Sequence, residues 1–113
     1  METTAATNAL SALGNERRLH VFRLLVQAGP DGIAAGEIAR RLGMLQNTLS
    51  SSLSVLSHAG LVVSRREGRS IIYSAAYDQL GELMDFLVED CCGGAVELCP
   101  AFNARMQAAA SGI

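Results

Sequence analysis

From Gly36 to Gly60 the chain reads GEIARRLGMLQNTLSSSLSVLSHAG, and its apolar positions recur at helical rather than strand spacing. Turning residues 45 to 59 by ~100° each puts Leu49, Leu53 and Leu56 on one stripe. Gln46, Asn47, Ser50, Ser51, Ser54, Ser57 and His58 gather on the opposite half. Gly43 separates this helix from a shorter one, Ala35–Leu42, and suits a left-handed position just past a helix end. In the shorter helix Ile38, Ala39 and Leu42 point inward. Upstream, the same spacing predicts a helix over Ala5–Leu13 and another over Glu16–Gln27. The latter turns Leu19, Phe22, Leu25 and Val26 inward, with Asn15 as its N-cap and Gly29-Pro30 as its stop. His20 on this helix reads as structural or partly exposed. Asp31 to Ala34 reads as a loop.

After Gly60 the period shortens. In LVVSRREGRSIIYSA, two β-rich runs, Leu61–Arg65 and Ser70–Ala75, flank a turn in which Gly68 can take a positive φ. That predicts a β-hairpin with Arg65, Arg66 and Arg69 at its tip. Helical spacing returns over Tyr77–Cys92, with Leu80, Leu83, Met84, Leu87 and Cys91 on one stripe and acids elsewhere. The core is already supplied by the preceding elements, so this spare stripe predicts a dimer contact shared with the first helix. Residues 1–92 therefore read as one domain and 93–113 as a tail, in which Cys99-Pro100 breaks any helix and the Ala-rich end is loosely packed.

Charge changes this picture. Of 113 residues, half are apolar and five are aromatic, and the net charge is −2. The average hides an asymmetry. Residues 17–69 hold Arg17, Arg18, Arg23, Arg40, Arg41, Arg65, Arg66 and Arg69 against Asp31, Glu37 and Glu67, whereas residues 77–99 hold six acids and no base. Lysine is absent, so every fixed positive charge is a guanidinium, the group best matched to phosphate. The Gln/Asn/Ser face carries no acid and no Lys or Arg. Short neutral hydrogen-bonding groups suit a helix that lies against an anionic surface and reads it. The second helix of a helix-turn-helix does this, entering the major groove with its N-terminal residues nearest the bases. Gln46, Asn47, Ser50, Ser51 and Ser54 are the candidate base contacts. Arg65, Arg66 and Arg69 are candidates for phosphate or the minor groove.

The opening residues lack a basic start and an apolar run, and no apolar segment approaches the ~20 residues of a membrane helix, so a cytosolic location is expected. There cysteines stay thiols. All three, Cys91, Cys92 and Cys99, fall within nine residues. Three thiolates without a nearby histidine are a soft ligand set, matched in number to a trivalent arsenic or antimony centre with its pyramid of sulfurs. Cys91 and Cys92 point ~100° apart on a regular helix, so the last turn must loosen for both to reach one centre; Gly93 and Gly94 supply that freedom. Glu89, Asp90 and Glu97 disfavour thiolate before a ligand arrives. Cys91 also fits a plain core position on the apolar stripe.

The order helix, helix, helix-turn-helix, Arg-tipped hairpin, acidic helix, with LGNERRLHVFRLL followed by GEIARRLGMLQNTLSSSLSVLSHAGLVVSRREGRSIIYS, closely resembles the ArsR family of bacterial metal-responsive repressors. The resemblance covers roughly residues 8 to 90. It implies a mainly α winged helix-turn-helix of about five helices and a two-stranded hairpin wing, paired through its first and last helices, that binds operator DNA and is released by an inducer. Two departures matter. Many arsenic-sensing members carry Cys-x-Cys on the helix before the reading helix, which here is GEIARRLG. Zinc-sensing members use acids and histidines on the dimer helix, which here has no histidine. The Cys-Cys…Cys run looks like that of members that sense arsenite at the end of the fifth helix.

The expected function is a homodimeric repressor released by trivalent arsenic on Cys91, Cys92 and Cys99. The same fold could instead sense antimonite, a methylated arsenical, a soft divalent metal or reactive sulfur. A thiol enzyme such as an arsenate reductase would need a low-pKa cysteine in a phosphate-binding loop, and these cysteines lie among acids at a helix C-terminus. No enzymatic activity is expected. A further alternative is a winged helix that binds protein and not DNA; loss of DNA binding on changing Arg65 and Arg66 to Ala would count against it.

Overall fold

The computed structural model describes residues 1–92, and for 89–92 the helix path alone. The chain runs α1 (Thr3–Leu13), α2 (Glu16–Ala28), β1 (Ile33–Ala34), α3 (Ala35–Leu42), α4 (Gln46–His58), β2 (Val62–Glu67), β3 (Ser70–Ala75) and α5 (Tyr77–Cys92). The three strands form one antiparallel sheet in the order β1-β3-β2.

α1 begins two residues earlier than its apolar pattern required. Its buried face is Ala6, Ala9 and Ala12, small side chains that admit close packing, while Leu10 stays 45% exposed. α2 starts where Asn15 caps it, the side chain accepting the Arg18 N–H at 3.1 Å. Its buried stripe is Val21, Phe22 and Leu25; Phe22 and Leu25 were expected inward, Val26 is half-buried against the core, and Val21 takes the place expected of Leu19. Leu19 sits ~110° around the helix from that stripe's centre and is 41% exposed. Leu19 lines an apolar groove with Leu13, Val26 and Leu80 of α5.

The predicted loop at Asp31–Ala34 holds a strand. Ile33 pairs with Tyr73 and Ala34 with Ile72, making the expected two-stranded hairpin a three-stranded sheet. Gly32 permits it: φ is 78°, and a Cβ there would sit 2.5 Å from the Tyr73 carbonyl oxygen and 2.8 Å from Ile72 Cγ2. Only a residue without a side chain lets the backbone come that close.

Leu25, Ile38, Leu49, Leu56, Leu61 and Val21 are the largest fully buried side chains and draw on α2, α3, α4 and the start of the wing. α5 matches its predicted bounds; Leu83 is buried, Leu80, Met84 and Phe86 are half-buried, and Leu87, on the stripe expected to make a dimer contact, is 40% exposed. No helix among the described residues is long and apolar enough to cross a membrane.

Candidate nucleic-acid interface

The helix-turn-helix is fixed at both ends by the same backbone device. After α3, Gly43 takes φ 61°; its N–H reaches the Arg40 carbonyl, and the Met44 N–H bonds the Ala39 carbonyl at 3.0 Å. After α4, Gly60 N–H bonds the Ser57 carbonyl and Leu61 N–H the Leu56 carbonyl, each at 3.0 Å. Both are Schellman closures, which satisfy carbonyls a helix end would leave orphaned and set the exit direction of the chain. α4 is therefore held against α3 on one side and delivered straight into β2 on the other.

Leu49, Ser52, Leu53 and Leu56 face the core, so α4 turns Gln46, Asn47, Ser50, Ser51 and Ser54 outward, all exposed. Ser52 is a buried polar residue that the apolar count alone did not flag. Asn47 Oδ1 accepts the Thr48 N–H at 2.8 Å, which leaves its amide NH₂ uncommitted. His58 is exposed at the far end of the same half, where with Val55 it lines a cleft against Asn8 and Ser11 of α1.

β2 and β3 pair from Val62–Ala75 to Glu67–Ser70, so the turn is only Gly68-Arg69. Arg69 is at the tip, whereas Arg65 and Arg66 lie on the strand and, as neighbours, point to opposite faces of the wing. Arg65 is tied down. Its Nε donates to Glu67 Oε1 at 3.0 Å and its Nη2 to the Asp31 carbonyl at 2.6 Å, joining the wing to the segment before β1.

The other arginines divide the same way. Arg18 donates to the Ala12 carbonyl at 2.6 Å and the Ser11 carbonyl at 3.2 Å, closing the end of α1. Arg40 and Arg41 both grip Glu37, and their hydrogen bonds, that of Arg40 foremost, hold its carboxyl at about 2, well under the ordinary 4.5. Among the described residues, Arg17, Arg23, Arg66 and Arg69 make no side-chain hydrogen bond, and all four are exposed; Arg23 lies beside the apolar groove of Leu19 and Leu80. Arg17 was not a predicted contact. It lines a polar cleft with Asn15, Asn47, Thr48 and Ser51, between the starts of α2 and α4. Its place in the first turn of α2, beside the start of α4 only in space, is invisible along the sequence.

Cys99 lies outside the described residues, as do the side chains of Cys91 and Cys92, whose backbone forms the last two positions of α5. Among the described residues no group of three His, Cys, Asp or Glu is placed to hold a metal ion.

A helix-turn-helix domain family matches residues 13–65. The nodulation protein NolR of Rhizobium meliloti is 36% identical over 89 residues, 75% of this chain and 70% of its own. An ArsR-like transcriptional regulator from Rhodococcus sp. RHA1 superposes with a TM-score of 0.70 at 26% identity, over 94% of this chain and 93% of its own. A homodimeric winged helix-turn-helix DNA-binding domain from Mycobacterium bovis, Mb0332, does so with a TM-score of 0.63 at 35% identity, over 75% of this chain and 77% of its own.

Proposed function

This chain belongs to the ArsR family of winged helix-turn-helix transcriptional regulators, and on that premise we propose that it is a homodimeric repressor that releases operator DNA when trivalent arsenic is captured by its cysteines. The observation that carries the DNA half is the outward edge of α4: five neutral polar side chains, Gln46, Asn47, Ser50, Ser51 and Ser54, flanked by the unpaired guanidinium groups of Arg17, Arg66 and Arg69. Gln and Asn suit adenine in the major groove, and the arginines supply the phosphate contacts that set register. Arg65, bound to Asp31 and Glu67, fixes the pitch of the wing.

With no cation on the reading edge, one subunit binds weakly, and affinity depends on two heads gripping half-sites about one helical turn apart. The homodimeric Mycobacterium bovis domain supports pairing here. So do Leu10, Leu19 and Leu87, large apolar residues left in water on α1, α2 and α5.

For the sensing half, the donor set fits on chemistry. Cys91, Cys92 and Cys99 are three soft thiols within nine residues, the number a trivalent arsenic or antimony centre binds. α5 carries the first two at its end and begins against α2, so strain in its last turn has a rigid path to the DNA-reading body. Allosteric couplings of ~1–3 kcal/mol change affinity ~5–150-fold.

Two measurements test the reading. Selection from a random duplex pool is expected to enrich a near-palindrome; recovery of unrelated sequences contradicts DNA reading. Titration of reduced protein with arsenite is expected to mask three thiols per chain; masking of two points to a methylated arsenical or a redox signal, and masking of none removes the sensing half.

A further inference from the structure

We propose that Leu45 is a specificity-determining residue whose side chain packs on the C5-methyl group of a thymine in each operator half-site. The inference rests on the DNA-reading function above and adds a contact of a different chemistry.

Leu45 is 73% exposed, the most exposed large apolar side chain among the described residues. It occupies the N-cap of α4, with φ −68° and ψ 147°, and makes no capping bond. That position favours Ser, Thr, Asp or Asn, whose oxygens take the first free N–H groups; leucine is among the poorest choices. Here Asn47 Oδ1 serves the Thr48 N–H in place of a cap. Leu45 thus gives up a cap and leaves apolar surface in water at the same site.

Local packing does not account for it. The residue before an N-cap often staples the helix start to the core, and Met44 already fills that role, half-buried against the cluster that holds Leu49. A position that breaks a local rule with no structural return points to function.

The location says which. Leu45 directly precedes Gln46 and Asn47, at the end of the reading helix that lies nearest the base edges. In the major groove the one apolar feature on a base is the thymine methyl, and apolar side chains read it. Gln and Asn suit the adenine of an A·T pair. Leucine beside them matches the methyl of that pair or its neighbour, and the edge carries no Arg or Lys for guanine.

The duplex enriched from a random pool by wild-type protein is resynthesised with deoxyuridine at each thymine in turn, which deletes one methyl and keeps every hydrogen-bonding group. Binding is compared for wild type, Leu45→Ala and Leu45→Ser; the serine supplies the missing cap oxygen and keeps α4 intact. Wild type is expected to lose about 4-fold in affinity at one thymine per half-site, the factor for one buried methyl. Both variants are expected to bind the thymine and deoxyuridine duplexes equally. A flat scan in wild type, or the same methyl effect in the variants, overturns the proposal while DNA reading stands. Failure to enrich any duplex overturns DNA reading itself.

Discussion

The phenol of Tyr77 donates to the carbonyl of Val26 at 2.9 Å, with the Leu25 carbonyl 3.4 Å away. The first residue of α5 thereby closes the last turn of α2, whose carbonyls have no partner within their own helix. α5 holds Cys91 and Cys92 at its far end, so this bond joins the proposed sensing helix to the body that carries α4. Tyr77→Phe is expected to lower unfolding free energy by about 0.5–1.5 kcal/mol in urea denaturation. Ligand-free operator affinity is expected to change little, and arsenite is expected to release DNA less completely than from wild type.

Arginines that look alike in the sequence should separate by salt. Arg17→Ala, Arg66→Ala and Arg69→Ala are each expected to weaken operator binding and to flatten the slope of log affinity against log salt by about 0.9 per lost phosphate contact. Arg18→Ala is expected to leave that slope alone and to lower stability, because its guanidinium closes the end of α1. Salt-dependent binding curves and thermal melts on the same four variants separate the two groups.

Glu37 links protein stability to acid. Its carboxyl titrates at about 2 in the folded protein against an ordinary 4.5, held down by Arg40 and then Arg41. A lowered folded value means the stabilisation is fully present above 4.5 and is lost as pH falls toward 2. Glu37→Gln is expected to melt below wild type at pH 7, and the gap is expected to close across that window. Freed from the carboxylate, Arg40 and Arg41 are expected to raise affinity for non-specific duplex.

Gly32 makes a sharper structural claim. Gly32→Ala places a Cβ against the Tyr73 carbonyl in a left-handed backbone. A loss of more than about 1 kcal/mol is expected, read by denaturation, with amide exchange faster at Ile33 and Tyr73.

These residues also show where sequence reasoning stops. The helix-turn-helix, the Asn15 cap, Gly43 and the bounds of α3 and α5 follow from local spacing and local chemistry, and so were legible. β1 was not: two residues carry no period, and Ile33–Ala34 becomes a strand only because β3 offers a free edge. Leu19 and Val21 were exchanged because α2 is apolar on more than one side and the core takes only the arc that packs against α4, β3 and α1. On the interface, the polar edge of α4 was readable from its wheel. The sorting of arginines was not, since Arg65 is held by Asp31, 34 residues away, and Arg18 by carbonyls of another helix.

The most direct test is operator binding by the fully reduced protein, titrated with arsenite, for wild type and for Cys91→Ser, Cys92→Ser and Cys99→Ser. The expected result is tight, salt-sensitive binding by all four, with arsenite releasing the wild type at least 5-fold and leaving each variant on the DNA. Equal release of the variants, or a wild type that stays bound at saturating arsenite, would contradict the link between the cysteines and the reading helix.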